Sequence, residues 1–152
     1  MKLSSFTDKR YVNLDLDAGS KHDVLSAMVS LLAASPKVTR AETLLRDVLD
    51  REELVTTGVG YGVAFPHAKS EAVKDVTFAF ARTKGDVDFG ALDGAPVRLV
   101  FLIGAPKEQE PSRVYLNLMA RLSFLMKDEA NRTALLEAPS VADALRIFDS
   151  VK

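Results

Sequence analysis

A proline cuts through an apolar run near the middle of this chain and limits what that region can become. The run reads Gly58-Val59-Gly60-Tyr61-Gly62-Val63-Ala64-Phe65-Pro66-His67-Ala68, with three alternating glycines before it and one of the two histidines after it. Tyr61 to Phe65 is long enough for a buried strand and too short for a typical helix. Proline has no amide to give a sheet ladder, so the strand is expected to stop at Pro66 and the chain to turn into a loop. His67 then sits just past a strand end, on a rigid mount beside pliable backbone. An imidazole there reaches solvent, and its proton chemistry lies near neutral pH.

The periodicities around this segment outline the rest of the fold. Tyr11 to Leu16 alternates as a first strand. Ser20 caps a helix carrying Val24, Leu25, Met28, Val29, Leu31 and Leu32 at helical spacing, and Ser35-Pro36 ends it. Thr39 and Glu42 have the spacing of a capping box for a second helix, whose inner side is Leu44, Leu45, Val48 and Leu49. Val76 to Arg82 and Val97 to Ile103 have strand composition, with turn chemistry at Asp93-Gly94 and Pro96 between them. Gly104 to Pro111 reads as a polar loop. Helices follow over Ser112 to Met126, over Glu129 to Leu136, and after a cap at Ser140. One strand, two helices, three strands and three helices predict a three-layer α/β/α sandwich with a mixed central sheet, as one domain over residues 1–152.

Composition narrows the function. The chain has 152 residues, 47% apolar and 27% charged, the values of an ordinary soluble domain. A net charge of −1 gives no electrostatic case for nucleic acid or an acidic membrane. No run approaches the roughly 20 apolar residues of a membrane span. The first residues lack a signal-peptide core and there is no cysteine, so the expected location is the cytoplasm. His22 and His67 lie far apart and have no cysteine to join them, so no metal or other cofactor is expected. The glycines do not form a dinucleotide loop, because position 63 is valine and a strand follows Gly62. His22, flanked by Lys21 and Asp23, reads as a solvated surface residue.

Taken alone, His67 reads as a structural histidine satisfied within the fold; its setting changes that reading. Arg51 closes the preceding helix, and Thr56, Thr57 and Gly58 form a small polar turn between the two. A neutral imidazole can act as a nucleophile, and a guanidinium can hold an incoming anion through paired hydrogen bonds. Hydroxyls and free amides in such a turn would add neutral donors for phosphate oxygens. Together these groups suit phosphoryl transfer, which depends on positioning and charge stabilisation.

Arg51-Glu52-Glu53-Leu54, Thr56-Thr57-Gly58 and Gly62-Val63-Ala64-Phe65-Pro66-His67-Ala68 together resemble the signature of the fructose/mannitol-type EIIA domain. This family belongs to the bacterial phosphoenolpyruvate-dependent sugar phosphotransferase system and includes nitrogen-regulatory EIIA proteins. The resemblance continues at Phe89, Asp93-Gly94, Pro96-Val97 and Leu99-Val100-Phe101-Leu102, and extends from about Leu14 over nearly the whole chain. It implies an EIIA mannitol/fructose-like fold and a phosphohistidine intermediate formed on His67 by the phosphocarrier HPr, on Nε2. It further implies that Arg51 neighbours the phosphate. Thr56, Thr57, Gly58, Ala68 and Tyr115 are the further phosphate-binding positions expected beside these two. The implied partners are an HPr-type protein and either an EIIB domain or a regulated protein.

One departure stands out. The family carries a second histidine in a His-Leu pair at the start of the long helix, where this chain has Tyr115-Leu116. Tyr115 shares a helical face with Leu118, Met119, Leu122 and Met126 and is expected to point toward the core rim. A phenol can donate a hydrogen bond to a phosphoryl oxygen, but it does not become a cation. Lys69, Lys74 and Arg113 are candidate charges at the rim of a docking surface. Three readings follow: a nitrogen-type regulator, a phosphocarrier to a sugar-transporting EIIB domain, and a protein that keeps the fold without accepting phosphate.

Overall fold

The long apolar run near residue 100 is the axis of the molecule. The computed structural model describes residues 2–107 and 113–150. Its elements are β1 (Val12–Leu16), α1 (Lys21–Leu32), α2 (Ala41–Leu54), β2 (Gly58–Gly60), β3 (Val63–Ala64), β4 (His67–Ser70), β5 (Thr77–Val87), β6 (Val97–Pro106), α3 (Arg113–Lys127), α4 (Glu129–Glu137) and α5 (Val141–Phe148). The sheet is mixed and runs β1-β5-β6-β3-β2, with β4 also paired to β6. β5 lies antiparallel along one side of β6. Along the other side β3 and then β4 run parallel to it, one after the other.

Alternation along the strands builds two cores. Val100 and Leu102 face a cluster with Val24, Leu25, Met28 and Leu44 of α1 and α2. Leu99, Phe101 and Ile103 face Leu118, Leu122, Leu135 and Phe148 of the last three helices. On β5 the first face carries Ala79, Ala81 and Val87, while Phe78 and Phe80 fill the second. The rings of Phe78, Phe80 and Phe101 surround Phe148 of α5 with centroids 5.3–5.8 Å away. This is the three-layer α/β/α sandwich expected from the order of periodicities.

Several local expectations need correction. The glycine-rich segment is a hairpin of β2 and β3, where a single strand over 61–65 was expected. Its turn residues Tyr61 and Gly62 have φ of 60° and 78°, the left-handed pair that the tightest hairpin turn requires. The Asp93 carboxylate accepts the Tyr61 amide at 3.0 Å and holds that turn. Pro66 does not send the chain into a loop either. It interrupts pairing for two residues, and the chain resumes along β6 with His67 opposite Ile103. The Pro66 carbonyl still accepts the Ile103 amide at 3.0 Å, so only the missing proline donor is lost.

The capping box of α2 does not form. Arg40 occupies the cap position, and the Thr39 hydroxyl donates to the Ala72 carbonyl at 3.1 Å. That bond is tertiary, so local spacing could not reveal it. Tyr11 belongs to a short 3-10 turn that precedes β1. β5 and β6 both extend beyond their expected ends, so Gly104–Pro106 is strand. Residues 108–111 of the expected polar loop, and Ser112 as the expected helix start, lie outside the described residues.

Candidate functional site

The site forms along β4, paired to β6, between the end of α2 and the beginning of α3. Strand alternation divides β4 cleanly. Ala68 and Ser70 turn toward α2, where the Ser70 hydroxyl donates to Asp47 at 2.6 Å. His67 and Lys69 turn toward α3, where the Tyr115 ring lies 6.3 Å from the imidazole, centroid to centroid. Immediately upstream, the Phe65 ring stacks on Phe101 at 5.4 Å and fixes the backbone before the proline.

That fixed backbone sets the state of the imidazole. Nδ1 of His67 lies 2.8 Å from the Phe65 carbonyl oxygen. A carbonyl can only accept, so Nδ1 carries the proton and Nε2 carries the lone pair. His67 is half-buried, and burial pushes its pKa below the ordinary 6.5. The Phe65 bond opposes that shift, the Arg51 charge adds to it, and the Glu52 carboxylate resists it. The ring is therefore neutral at pH 7.

Arg51 lies in the last turn of α2 and spends one donor, Nη1, on the Val55 carbonyl at 2.9 Å. With Asp47, Asp50, His67, Ala68, Lys69 and Tyr115 it lines an open cavity of about 320 Å³. Arg51 and His67 thus line one cavity, from α2 and from β4. Ala68 is buried and pairs with Gly104 across β4 and β6. Tyr115 is buried as expected. Burial pushes its phenol up to about 12, with Arg51 pulling the other way, so it stays uncharged and keeps its proton.

Thr56, Thr57 and Gly58 were expected to offer free donors, and the structure has them bonded within the fold. The Thr57 amide and hydroxyl donate to Glu52 at 2.7 and 2.5 Å. The Thr56 hydroxyl donates to the Phe89 carbonyl at 3.0 Å and accepts the Gly58 amide at 3.1 Å. The absence of a side chain at Gly58 serves close packing, because a Cβ there would lie 2.9 Å from that of Ala91. This turn braces the end of α2.

Glu52 is the residue that sequence reasoning missed. Its side chain is buried and pairs with Lys21 of α1 at 2.7 Å, while Lys21 also donates to the Phe89 carbonyl at 3.1 Å. One carboxylate therefore ties α1, the end of α2 and the following turn together, one residue beyond Arg51. A charged residue next to Arg51 and five positions before a threonine was the available signal. Only the fold brings Lys21 to it. Among the rim candidates, Lys69 borders the cavity, and Lys74 and Arg113 are exposed. His22 is exposed as expected.

Comparison with known proteins agrees with this architecture. The family model described as the phosphoenolpyruvate-dependent sugar phosphotransferase system, EIIA 2, matches residues 5–151. The fructose-specific EIIABC component of Bacillus subtilis (strain 168) is 36% identical over 140 residues, which are 92% of this chain and 22% of that protein. The chain therefore spans under a quarter of that relative's length. The nitrogen regulatory protein of Pseudomonas aeruginosa is 32% identical over 132 residues, 87% of this chain and 84% of its own. The crystal structure of the nitrogen regulatory protein IIA-Ntr from Neisseria meningitidis superposes with a TM-score of 0.88 at 28% identity, covering 96% of this chain and 98% of that one. With the family model covering nearly every residue, this chain belongs to the EIIA type 2 family of the sugar phosphotransferase system.

Proposed function

We propose that this chain carries a phosphoryl group on Nε2 of His67, received from a phosphorylated HPr-type protein in the cytoplasm, and acts as a nitrogen-type regulator. The observation that carries the reading is the bond from Nδ1 to the Phe65 carbonyl, which leaves the nucleophilic lone pair on the opposite ring nitrogen of a residue that lines the same cavity as Arg51. In the transfer the donor's P–N bond breaks, its electron pair returns to the donor imidazole, and the Nε2 lone pair forms the new P–N bond. The modified ring retains its Nδ1 proton and so becomes cationic. Phe65 then accepts from a stronger donor than before. Arg51 takes up part of the charge on the phosphoryl oxygens.

Incubation with phosphorylated HPr tests the reading. An acid-labile phosphate should appear on the wild type and be absent from His67→Ala. Equal labelling of both removes His67 as the acceptor and leaves a protein of EIIA fold that does not use this site.

The regulatory assignment rests on Tyr115, because a phenol held neutral cannot supply a second cationic imidazole for onward transfer. A second reading, a phosphocarrier to a fructose-type EIIB domain, is favoured by the 36% identity to the Bacillus subtilis EIIABC component. Mixing the phosphorylated chain with such an EIIB domain separates the two. Slow or absent discharge supports the regulator, and discharge within seconds supports the carrier.

A further inference from the structure

A phosphoryl group brings about −2 charge into the His67 cavity. The wall contributed by α2 is poorly suited to receive it alone. Asp47 and Asp50 supply two carboxylates against the single guanidinium of Arg51, which leaves −1 before any phosphate arrives. Tyr115 from α3 adds no charge, and Glu52 adds a further negative field at the ring. A phosphorylated His67 would meet net repulsion from this side.

The compensating charge comes from β4. Lys69 follows His67 by two residues, so strand alternation places both on the same face. Its Nζ lies 5.9 Å from the centre of the Tyr115 ring, the ring that lies 6.3 Å from the imidazole. One aromatic face thus borders both the nucleophile and the ammonium. A cation over an aromatic face is held weakly in an exposed setting, so this ring contact does not bar the Lys69 ammonium from a doubly charged anion. We propose that Lys69 is a second cationic partner of the phosphoryl group on His67, leaving the Tyr115 face to donate to a phosphoryl oxygen. This inference rests on His67 being the acceptor, and it separates Lys69 from a role in docking alone.

Phosphoramidate, a donor with no protein surface, makes the test. Its P–N bond breaks, ammonia leaves with the electron pair, and the His67 Nε2 lone pair forms the new bond. Rates would be measured for wild type, Lys69→Gln and Lys69→Arg, with phosphoramidate and with phosphorylated HPr. The midpoint of the phosphoryl's second ionisation would be read by phosphorus NMR. Lys69→Gln should be about tenfold slower with both donors, the loss expected for one charge-assisted bond. It should also raise the phosphorus midpoint by about half a unit or more, and Lys69→Arg should restore most of both. Slowing with phosphorylated HPr alone, with the phosphorus midpoint unmoved, overturns the proposal and makes Lys69 a docking charge. An unmodified wild type overturns it together with the reading it rests on.

Discussion

At His67 one hydrogen bond decides the chemistry. The proton on Nδ1 is held by a carbonyl that a stacked phenylalanine keeps in place, so Nε2 is unprotonated without any pH-dependent rearrangement. Because burial and Arg51 lower its pKa, the folded state binds fewer protons than the unfolded state as pH falls through the ordinary imidazole range. This contribution to stability is complete above the unfolded value of 6.5 and declines below it. An NMR titration should place the His67 midpoint under 6.5. In Arg51→Ala the midpoint should move upward, since a repelling positive charge has gone. A downward move would contradict the electrostatic role given to Arg51. At Tyr115 the expected outcome is kinetic. Tyr115→Phe keeps the ring and removes one donor, so phosphoryl exchange should slow by about fivefold with the melting temperature nearly unchanged.

The end of α2 is the element on which the site depends. Its position relies on Glu52, which satisfies Lys21 and both polar groups of Thr57 from inside the fold. Glu52→Ala takes the acceptor from both polar groups of Thr57 and the counter-charge from Lys21, and should cost about 3 kcal/mol of unfolding free energy, measured by urea titration. Gly58→Ala forces a Cβ against Ala91 and should cost about 1–3 kcal/mol by the same measurement. This is also the scale at which the sequence was least legible. The existence of α2, and the placement of Arg51 in its last turn, could be read from its apolar spacing. Its true start, the hairpin of β2 and β3, and the internal use of Thr56, Thr57 and Gly58 could not. Each depends on a partner distant in sequence: Ala72 for Thr39, Phe89 for Thr56, Asp93 for the hairpin turn. Pro66 misled for a related reason, since the strand it interrupts resumes on a neighbour that local spacing cannot name.

For the molecule as a whole, the layers were legible because burial imposes its own periods. The two-residue alternation of β6 and the helical stripes of α1 and α3 must face each other for either to leave water. On β5 Ala79 and Ala81 face one layer and Phe78 and Phe80 the other, where their rings pack on Phe148 and tie in the last helix. Phe148→Ala should therefore destabilise by about 3–5 kcal/mol while leaving His67 able to accept phosphate in the folded fraction. The most direct measurement is nitrogen–phosphorus correlation on the phosphorylated chain, which reports the ring atom that bears the phosphate. Coupling to Nε2 of His67 alone is the outcome predicted by the bond between Nδ1 and Phe65. Coupling to Nδ1, or a phosphate found on any other residue, would contradict it.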